Sequence, residues 1–214
     1  MASHRTLPEP TLRRLPWYLA YVSILSQQGV SHVSSTAISR RLNVDASQIA
    51  KDLSFLSVKG KTRIGYDVPR LEQALEEFLG FKRGHNAVIA GVGSLGAALI
   101  ADSGLLRYGL SIVAGFDINP AVTGHSIGRV PVYHIDRLPE LRASLNADIG
   151  IIAVPPESAQ DTADTLVASG IKALWNFTPY RLRTEAGIVV ENTSIYAHLA
   201  VMYNRLGAQI SDTP

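Results

Sequence analysis

The tightest constraint on this chain lies at residues 86–101, where the apolar run "NAVIAGV" opens into "GSLGAALIA". Gly91, Gly93 and Gly96 form a G-x-G-x-x-G pattern that leaves a strand-like segment and enters a helix-like one. The first glycine permits a tight turn, the second lets backbone approach a pyrophosphate, and the third allows close helix–strand packing. Val92, Ser94 and Leu95 complete the turn, and amides at the helix start meet phosphate with a favourable dipole. Asp117 ends the next strand-like segment, 21 residues after Gly96, with Ile118 beside it. A carboxylate there can accept both ribose hydroxyls of an adenosine and repel a 2′-phosphate, which predicts NAD(H) rather than its phosphorylated relative. The plainer reading of Asp117 is a local turn, because "DINP" is itself turn-forming.

The remainder of the chain separates by charge and by pattern. Residues 1–84 carry 12 Lys/Arg against 7 Asp/Glu, whereas residues 85–214 carry 8 against 11. A basic module suited to a polyanion is thus joined to an acidic one. In the basic part, Leu12, Leu15, Leu19, Val22 and Leu25 recur at helical spacing on one apolar face, and Gly29 stops that helix. "SSTAISRRLNV" predicts a second helix with a Ser or Thr cap. "DASQIAKDLSFLSV" predicts a third, capped by Asp45 and burying Ile49, Leu53 and Leu56. "KGKTRIGYDV" then reads as a small basic hairpin, and "VPRLEQALEEFLGF" as a closing helix with Gly80 past its end. That order predicts a winged helix-turn-helix over residues 1–84. If the third helix enters a major groove, Ser47, Gln48, Lys51 and Ser54 lie on its polar side. Gln48 suits adenine, and Lys51 suits guanine or phosphate. Arg40 and Arg41 on the second helix, with Lys59, Lys61 and Arg63 on the wing, suit the DNA backbone or minor groove. A solvated basic face on a dimerisation module is the alternative.

From residue 85 to 192, apolar strand-like segments at 86–92, 110–117, 129–135, 147–155, 172–177 and 187–192 alternate with helical ones. Such alternation predicts an α/β fold, a doubly wound, Rossmann-like parallel sheet covered on both faces. Residues 193–214 hold one further helix. No length remains for a substrate domain. The six histidines show no metal spacing, and the motifs of the common nucleophilic enzymes are absent. His134 and His198 read as surface or packing residues. The prediction is therefore no enzyme and no metal, with a small NAD-dependent oxidoreductase carrying a fused interaction module as the alternative. With no cysteine, no signal peptide at the start and no apolar run long enough to span a bilayer, a cytoplasmic protein is expected.

Several local patterns, in order and over nearly the whole length, resemble the Rex family of redox-sensing transcriptional repressors. They are "LPEPTLRRLPWYL", "VSSTAISRRLNVDASQIAKDLSFL", "GKTRIGYDV", "GVGSLGAAL", "GFDINPAVTGHSIGRVPVY", "AVPPESAQDTADTLVASGIKALWNFTP" and "VVEN". The resemblance implies operator double-stranded DNA as partner, bound when NAD⁺ prevails and released by NADH. It also implies a homodimer whose C-terminal helix, about 193–206, swaps across to the second copy. It extends the cofactor site to Val154 and Pro155 in "AVPP" and to Asn176 and Phe177 in "WNF". Three positions depart from the family pattern. Asp102 stands where a tyrosine is usual, Ser194 where the final helix usually opens with an aspartate, and Ala50 where a basic residue usually precedes Lys51. The first two make Asp102 and Ser194 the redox-switch candidates. Asp102 is expected either to favour NAD⁺ by its charge or to be an ordinary helix-end acid.

Overall fold

Pro8 fixes the backbone ahead of helix α1 (Glu9–Gln27), whose length comes from an apolar stripe that runs through an internal proline, Pro16. The buried positions are Thr11, Leu15, Tyr18, Leu19, Val22 and Leu25. Leu12, expected to be inside, is exposed, because the buried stripe follows Thr11, Leu15, Tyr18 and Val22 at three- and four-residue steps. Strand β1 (His32–Val33) leads into α2 (Ser35–Leu42), where Ser34 accepts a hydrogen bond from the Ala37 amide. Asn43, in the left-handed region at φ 52°, ends α2. Helix α3 (Ala46–Leu53) starts three residues later with Asp45 as its cap, accepting from the Ser47 and Gln48 amides.

The wing keeps the expected tight basic tip, but the pairing of the strand after it was not expected. Residues 61–65 close on themselves through mutual Lys61–Gly65 backbone bonds, both 2.8 Å. The strand that follows, β2 (Tyr66–Asp67), pairs antiparallel with β1 rather than with the other arm of the tip. Gly65, at φ +96°, is obligatory here, since a Cβ would strike the Val33 carbonyl. Asp67 then caps α4 (Val68–Leu79), which Gly80 terminates at φ +76°.

A charged group sits inside this apolar unit. Asp52 of α3 is fully buried, and its carboxylate takes five hydrogen bonds. Arg14 provides two, at 2.7 and 2.9 Å, and Tyr18, Gln48 and Thr11 provide one each, at 2.8, 2.8 and 3.1 Å. Burial opposes the charge, but the hydrogen bonds from Arg14, Tyr18, Gln48 and Thr11 together outweigh it and hold the carboxyl below its usual range. Burial, helped by the bond to Asp52, pushes the Tyr18 hydroxyl up to about 12.

The structure, a computed structural model, describes residues 7–211, with side chains through 207. It divides into two compact units, Met1–Arg83 and Gly84–Pro214. In the second, the strands are β3 (His85–Ala90), β4 (Leu110–Asp117), β5 (Ser126–Ile127), β6 (Val130–His134), β7 (Ile149–Ile152), β8 (Ala173–Asn176) and β9 (Val189–Asn192). Their order is β5-β6-β4-β3-β7-β8-β9. All neighbours are parallel except β5, which turns back antiparallel on β6. The sheet is therefore mixed; its six parallel strands keep the doubly wound order, with the reversal between β3 and β7.

Strand β3 alternates its side chains between two cores. Val88 and Ala90 pack with Phe116, Leu138, Ala163 and Leu166 on one face. Ala87 and Ile89 pack with Ile151, Leu99 and Ile100 on the other. The helix expected after the glycines is in fact two, α5 (Ser94–Ala101) and α6 (Ser103–Arg107). Helices α7 (Leu138–Leu145) and α8 (Ala159–Ala168) cover the first face, and α9 (Ile195–Ser211) follows β9. No helix among the described residues is long and apolar enough to cross a membrane.

Replacing Asp52 by Asn keeps the shape but removes the charge and sets an amide NH2 either at the Oδ1 position, against Arg14 and Gln48, or at Oδ2, against Arg14 and Tyr18. A loss of about 3 kcal/mol is expected, measured by urea unfolding followed by circular dichroism. Because the folded carboxyl is held below its unfolded value, its contribution is complete above the unfolded pKa and fades as pH falls through the folded one. The native chain should therefore lose this part of its stability below about pH 4, and Asp52→Asn should lack that acid-dependent component.

Candidate functional site

The loops that leave β3, β4 and β7 meet at the reversal of strand order. Gly91 turns there at φ +89°, and a Cβ on it would lie 2.5 Å from the Ala153 carbonyl oxygen. Gly96 sits so close beneath that turn that a Cβ would collide with the Gly91 carbonyl. Both glycines are demanded by the fold itself. Gly93 is different: its φ of −74° suits any residue, and a Cβ there would meet nothing within 4 Å. What Gly93 leaves clear is space in a cleft of about 570 Å³.

Around that cleft the chemistry is anion-accepting on one side and hydroxyl-accepting on the other. Gly93 caps α5 with no side-chain hydrogen bond, so Ser94 and Leu95, both exposed, open a helix whose first turn faces outward uncapped. Asp117 lies across the turn, its Oδ2 accepting from the Val92 amide at 2.6 Å and its Oδ1 from the Asn119 amide at 2.9 Å. The local turn expected at Asp117 is present, and the same residue lines the cleft. A carboxylate has about four acceptor positions, so each oxygen keeps one for a ligand hydroxyl. Ile118, Val154 and Pro155 line the cleft as well.

Four lining residues on α8 and the turn before it escaped the sequence reading: Ser158, Asp161, Thr162 and Thr165. Their signal was topological. A strand that pairs with β3 must place the loop after it beside the glycine turn, and "PPES" follows β7.

The helical unit gathers the expected basic residues on exposed surface: Arg40 and Arg41 on α2, Lys51 on α3, and Lys59, Lys61 and Arg63 at the wing. Arg63 holds a left-handed φ of 65°, set by the tight tip. Ser47 and Ser54 are exposed, but Ser47 Oγ donates to the Asp45 cap and Ser54 Oγ to the Lys51 carbonyl. Gln48 is half-buried, its amide nitrogen donating to Asp52.

Two family models match: "CoA binding domain" over residues 82–180 and "Putative DNA-binding protein N-terminus" over residues 6–54. A redox-sensing transcriptional repressor Rex from Bacteroides fragilis is 56% identical over 200 residues, covering 94% of this chain and 91% of the relative. Its counterpart from Porphyromonas gingivalis is also 56% identical, covering 94% and 92%. The chain belongs to the Rex family of redox-sensing repressors. Among solved structures, the Rex-family repressor RSP in complex with NAD⁺ and operator DNA matches with a TM-score of 0.90. It is 33% identical, with 98% of this chain and 99% of that one covered. RSP in complex with NADH matches at 0.85, 34% identical, with 95% of each chain covered. These relatives carry the names of repressors, not of enzymes.

Within a Rex-family frame, several expected site residues stand elsewhere. Asn176 is fully buried with its amide spent: Nδ2 donates to Tyr180 and Asn192, and Oδ1 accepts from the Thr178 amide and hydroxyl. It is a structural knot at the end of β8, not a lining residue. Phe177 packs against Trp175 with its ring tilted by 45°, 4.7 Å between ring centres, on the sheet face opposite Val154. Asp102 joins α5 to α6, its carboxylate accepting from the Gly104 and Leu105 amides at 3.2 and 3.1 Å. It lines a separate groove of about 490 Å³ with Leu106 and Arg129, away from the glycine turn. Ser194 likewise caps a helix, accepting from the Ala197 amide at the start of α9. Both switch candidates are helix caps in this chain.

His134 bonds the Asp136 amide, and His198 bonds the Ser194 carbonyl. Among the described residues, no group of three or more His, Cys, Asp or Glu could hold a metal ion.

The glycines separate folding from binding. Gly96→Ala should destabilise the sheet unit by about 3 kcal/mol, whereas Gly93→Ala should stay within about 0.5 kcal/mol of the native chain. Denaturant unfolding of the two variants checks both.

Proposed function

We propose that the chain is an NADH-responsive repressor: the sheet unit holds NAD(H), the helical unit holds operator DNA, and NADH releases the DNA. The observation that carries this reading is Gly93, a glycine the protein's own packing does not require, placed at the uncapped start of α5 beside Asp117. Backbone can approach a pyrophosphate only where no Cβ stands in the way. Gly91, Val92, Gly93, Ser94, Leu95 and Gly96 form the phosphate turn. Asp117 and Ile118 face the adenosine ribose, and Val154 and Pro155 form the opposite wall. The Asp117 carboxylate disfavours any ligand with a phosphate on that ribose, which sets NAD(H) ahead of its 2′-phosphorylated form and of coenzyme A. When bound, the nicotinamide supplies the redox difference, a positive charge present in one form and absent in the other. The chain's own residues bind and orient.

On the DNA side, α3 offers Ser47, Gln48, Lys51 and Ser54 to the major groove. Arg40, Lys59, Lys61 and Arg63 meet phosphates or the minor groove. The functional parts are a DNA-binding domain over 1–84, a cofactor domain over 85–192 and a dimer-forming tail over 193–214, acting in the cytoplasm.

A homodimer through α9 is supported by its apolar surface. Ile195, Tyr196, Val201, Met202, Tyr203 and Leu206 are each more than half exposed on the single chain. A helix that apolar calls for a covering partner. Asp102 and Ser194 are the redox-switch candidates.

Fluorescence anisotropy with an inverted-repeat duplex tests the reading. NADH should weaken binding about tenfold, a coupling of about 1.4 kcal/mol, while NAD⁺ leaves it unchanged. Binding indifferent to both nucleotides would sink the sensor. Gly93→Ala should fold normally yet bind NADH at least about tenfold more weakly. Met202→Asp should convert a dimer to monomer in light scattering; an unchanged mass would remove α9 from the interface.

A further inference from the structure

The buried carboxylate of Asp52 does more than fasten α3 to α1. Of its five donors, four lie in the α1–α3 seam: the two Arg14 nitrogens, the Tyr18 hydroxyl and the Thr11 hydroxyl. The fifth is the Nε2 of Gln48, one turn earlier on α3 itself, at 2.8 Å. Gln48 is the one polar residue on the expected reading side of α3 whose side chain is held from inside the protein. Among the described residues, its Oε1 has no protein partner.

An ionised carboxylate only accepts hydrogen bonds. Were the Gln48 amide turned over, Oε1 would face a carboxylate oxygen, lone pair against lone pair, with Nε2 left pointing away. The four fixed donors keep Asp52 ionised and stationary, so the amide has one orientation. Free glutamine side chains read DNA in either sense. This one is set before it meets a base.

We infer that Asp52 is a positioning residue for base reading. It holds the Gln48 amide nitrogen inward and leaves Oε1 as the atom offered to DNA, so that Gln48 selects a base carrying an exocyclic amine. Adenine and cytosine present such an amine in the major groove, at N6 and N4. Guanine presents only acceptors there, and thymine an acceptor and a methyl group. The second N–H of Gln48 can add adenine N7, which places adenine ahead of cytosine. The inference rests on the proposal that α3 reads operator DNA.

The test uses the full-length chain and duplexes that it selects itself from randomised inverted repeats. At each half-site position, adenine is replaced by purine, which lacks the 6-amino group, and cytosine by 2-pyrimidinone, which lacks the 4-amino group. At one position per half-site, the analogue should weaken native binding about tenfold. Gln48→Ala should lose at least that factor on the natural duplex and clearly less on the analogue, where a contact to N7 is all that is left to lose. Asp52→Asn supplies the second arm, because an asparagine amide can donate to Oε1 and let Gln48 turn over. Its base preference at that one position should relax toward guanine, whereas general loosening of the unit would lower affinity for all duplexes alike.

A native chain that selects no duplex overturns the DNA reading and this inference with it. A chain that selects duplexes, but in which no analogue couples to Gln48→Ala, overturns the inference alone. So does a folded Asp52→Asn chain with an unaltered preference at the coupled position. Should Asp52→Asn fail to fold, the analogue series with Gln48→Ala decides.

Discussion

Everything in the larger unit depends on how near α5 can come to the turn that leaves β3. The Gly96 backbone lies against the Gly91 carbonyl, and Gly91 lies against Ala153 at the end of β7. Three elements therefore converge with no side chain between them. That convergence sets the order of the rest. With β3 and β7 adjacent and β4 on the other side of β3, the ends of three strands open on one cleft, and Gly93, which precedes α5 and offers no side-chain cap, lines it. Asp117 reinforces the turn from the neighbouring strand by binding the Val92 amide. The carboxylate that would meet a ribose is also a strut of the loop it stands beside, so its position is set in the empty protein.

The helical unit solves a different problem, with charge rather than proximity. A short helix of 8 residues has little apolar surface with which to fix its rotation against a neighbour. Ile49 and Leu53 supply the burial, and Asp52 supplies the angular definition. Five donors directed at one carboxylate leave few alternative arrangements for α1 and α3. An isosteric apolar residue would be easier to bury, yet it would leave the α3 surface free to turn.

Much of this was legible in the sequence, and the parts that were not share a cause. The glycine pattern, the acid 21 residues later, the Ser or Thr cap that is Ser34, the cap Asp45 and the basic wing all express chemistry within a few residues of chain. Local chemistry survives being read along a line. The Asp52 network joins residues 34 to 41 positions apart, and only the helical spacing of Thr11, Arg14 and Tyr18 hinted at a common face. The α8 wall of the cleft depends on β7 pairing with β3, a fact about topology. Asn176, which the resemblance placed at the cofactor, is spent instead on four hydrogen bonds with Thr178, Tyr180 and Asn192, contacts that a short motif does not display. The wing misled because its strand pairs with residues 32–33, more than thirty positions back. Asp102 had two readings, a charge that favours NAD⁺ or a helix-end acid, and its hydrogen bonds are those of the second, at the joint between two helices.

The freedom at Gly93 bears on how such a protein fails in a cell. Most damaging substitutions are noticed by quality control because they raise the unfolded fraction, and the chain is then degraded. A side chain at Gly93 disturbs no packing, so the altered protein would persist at full abundance while deaf to its ligand. Loss of sensing and loss of the protein are thus separable events here, one glycine in the turn answering for the first and its two neighbours for the second.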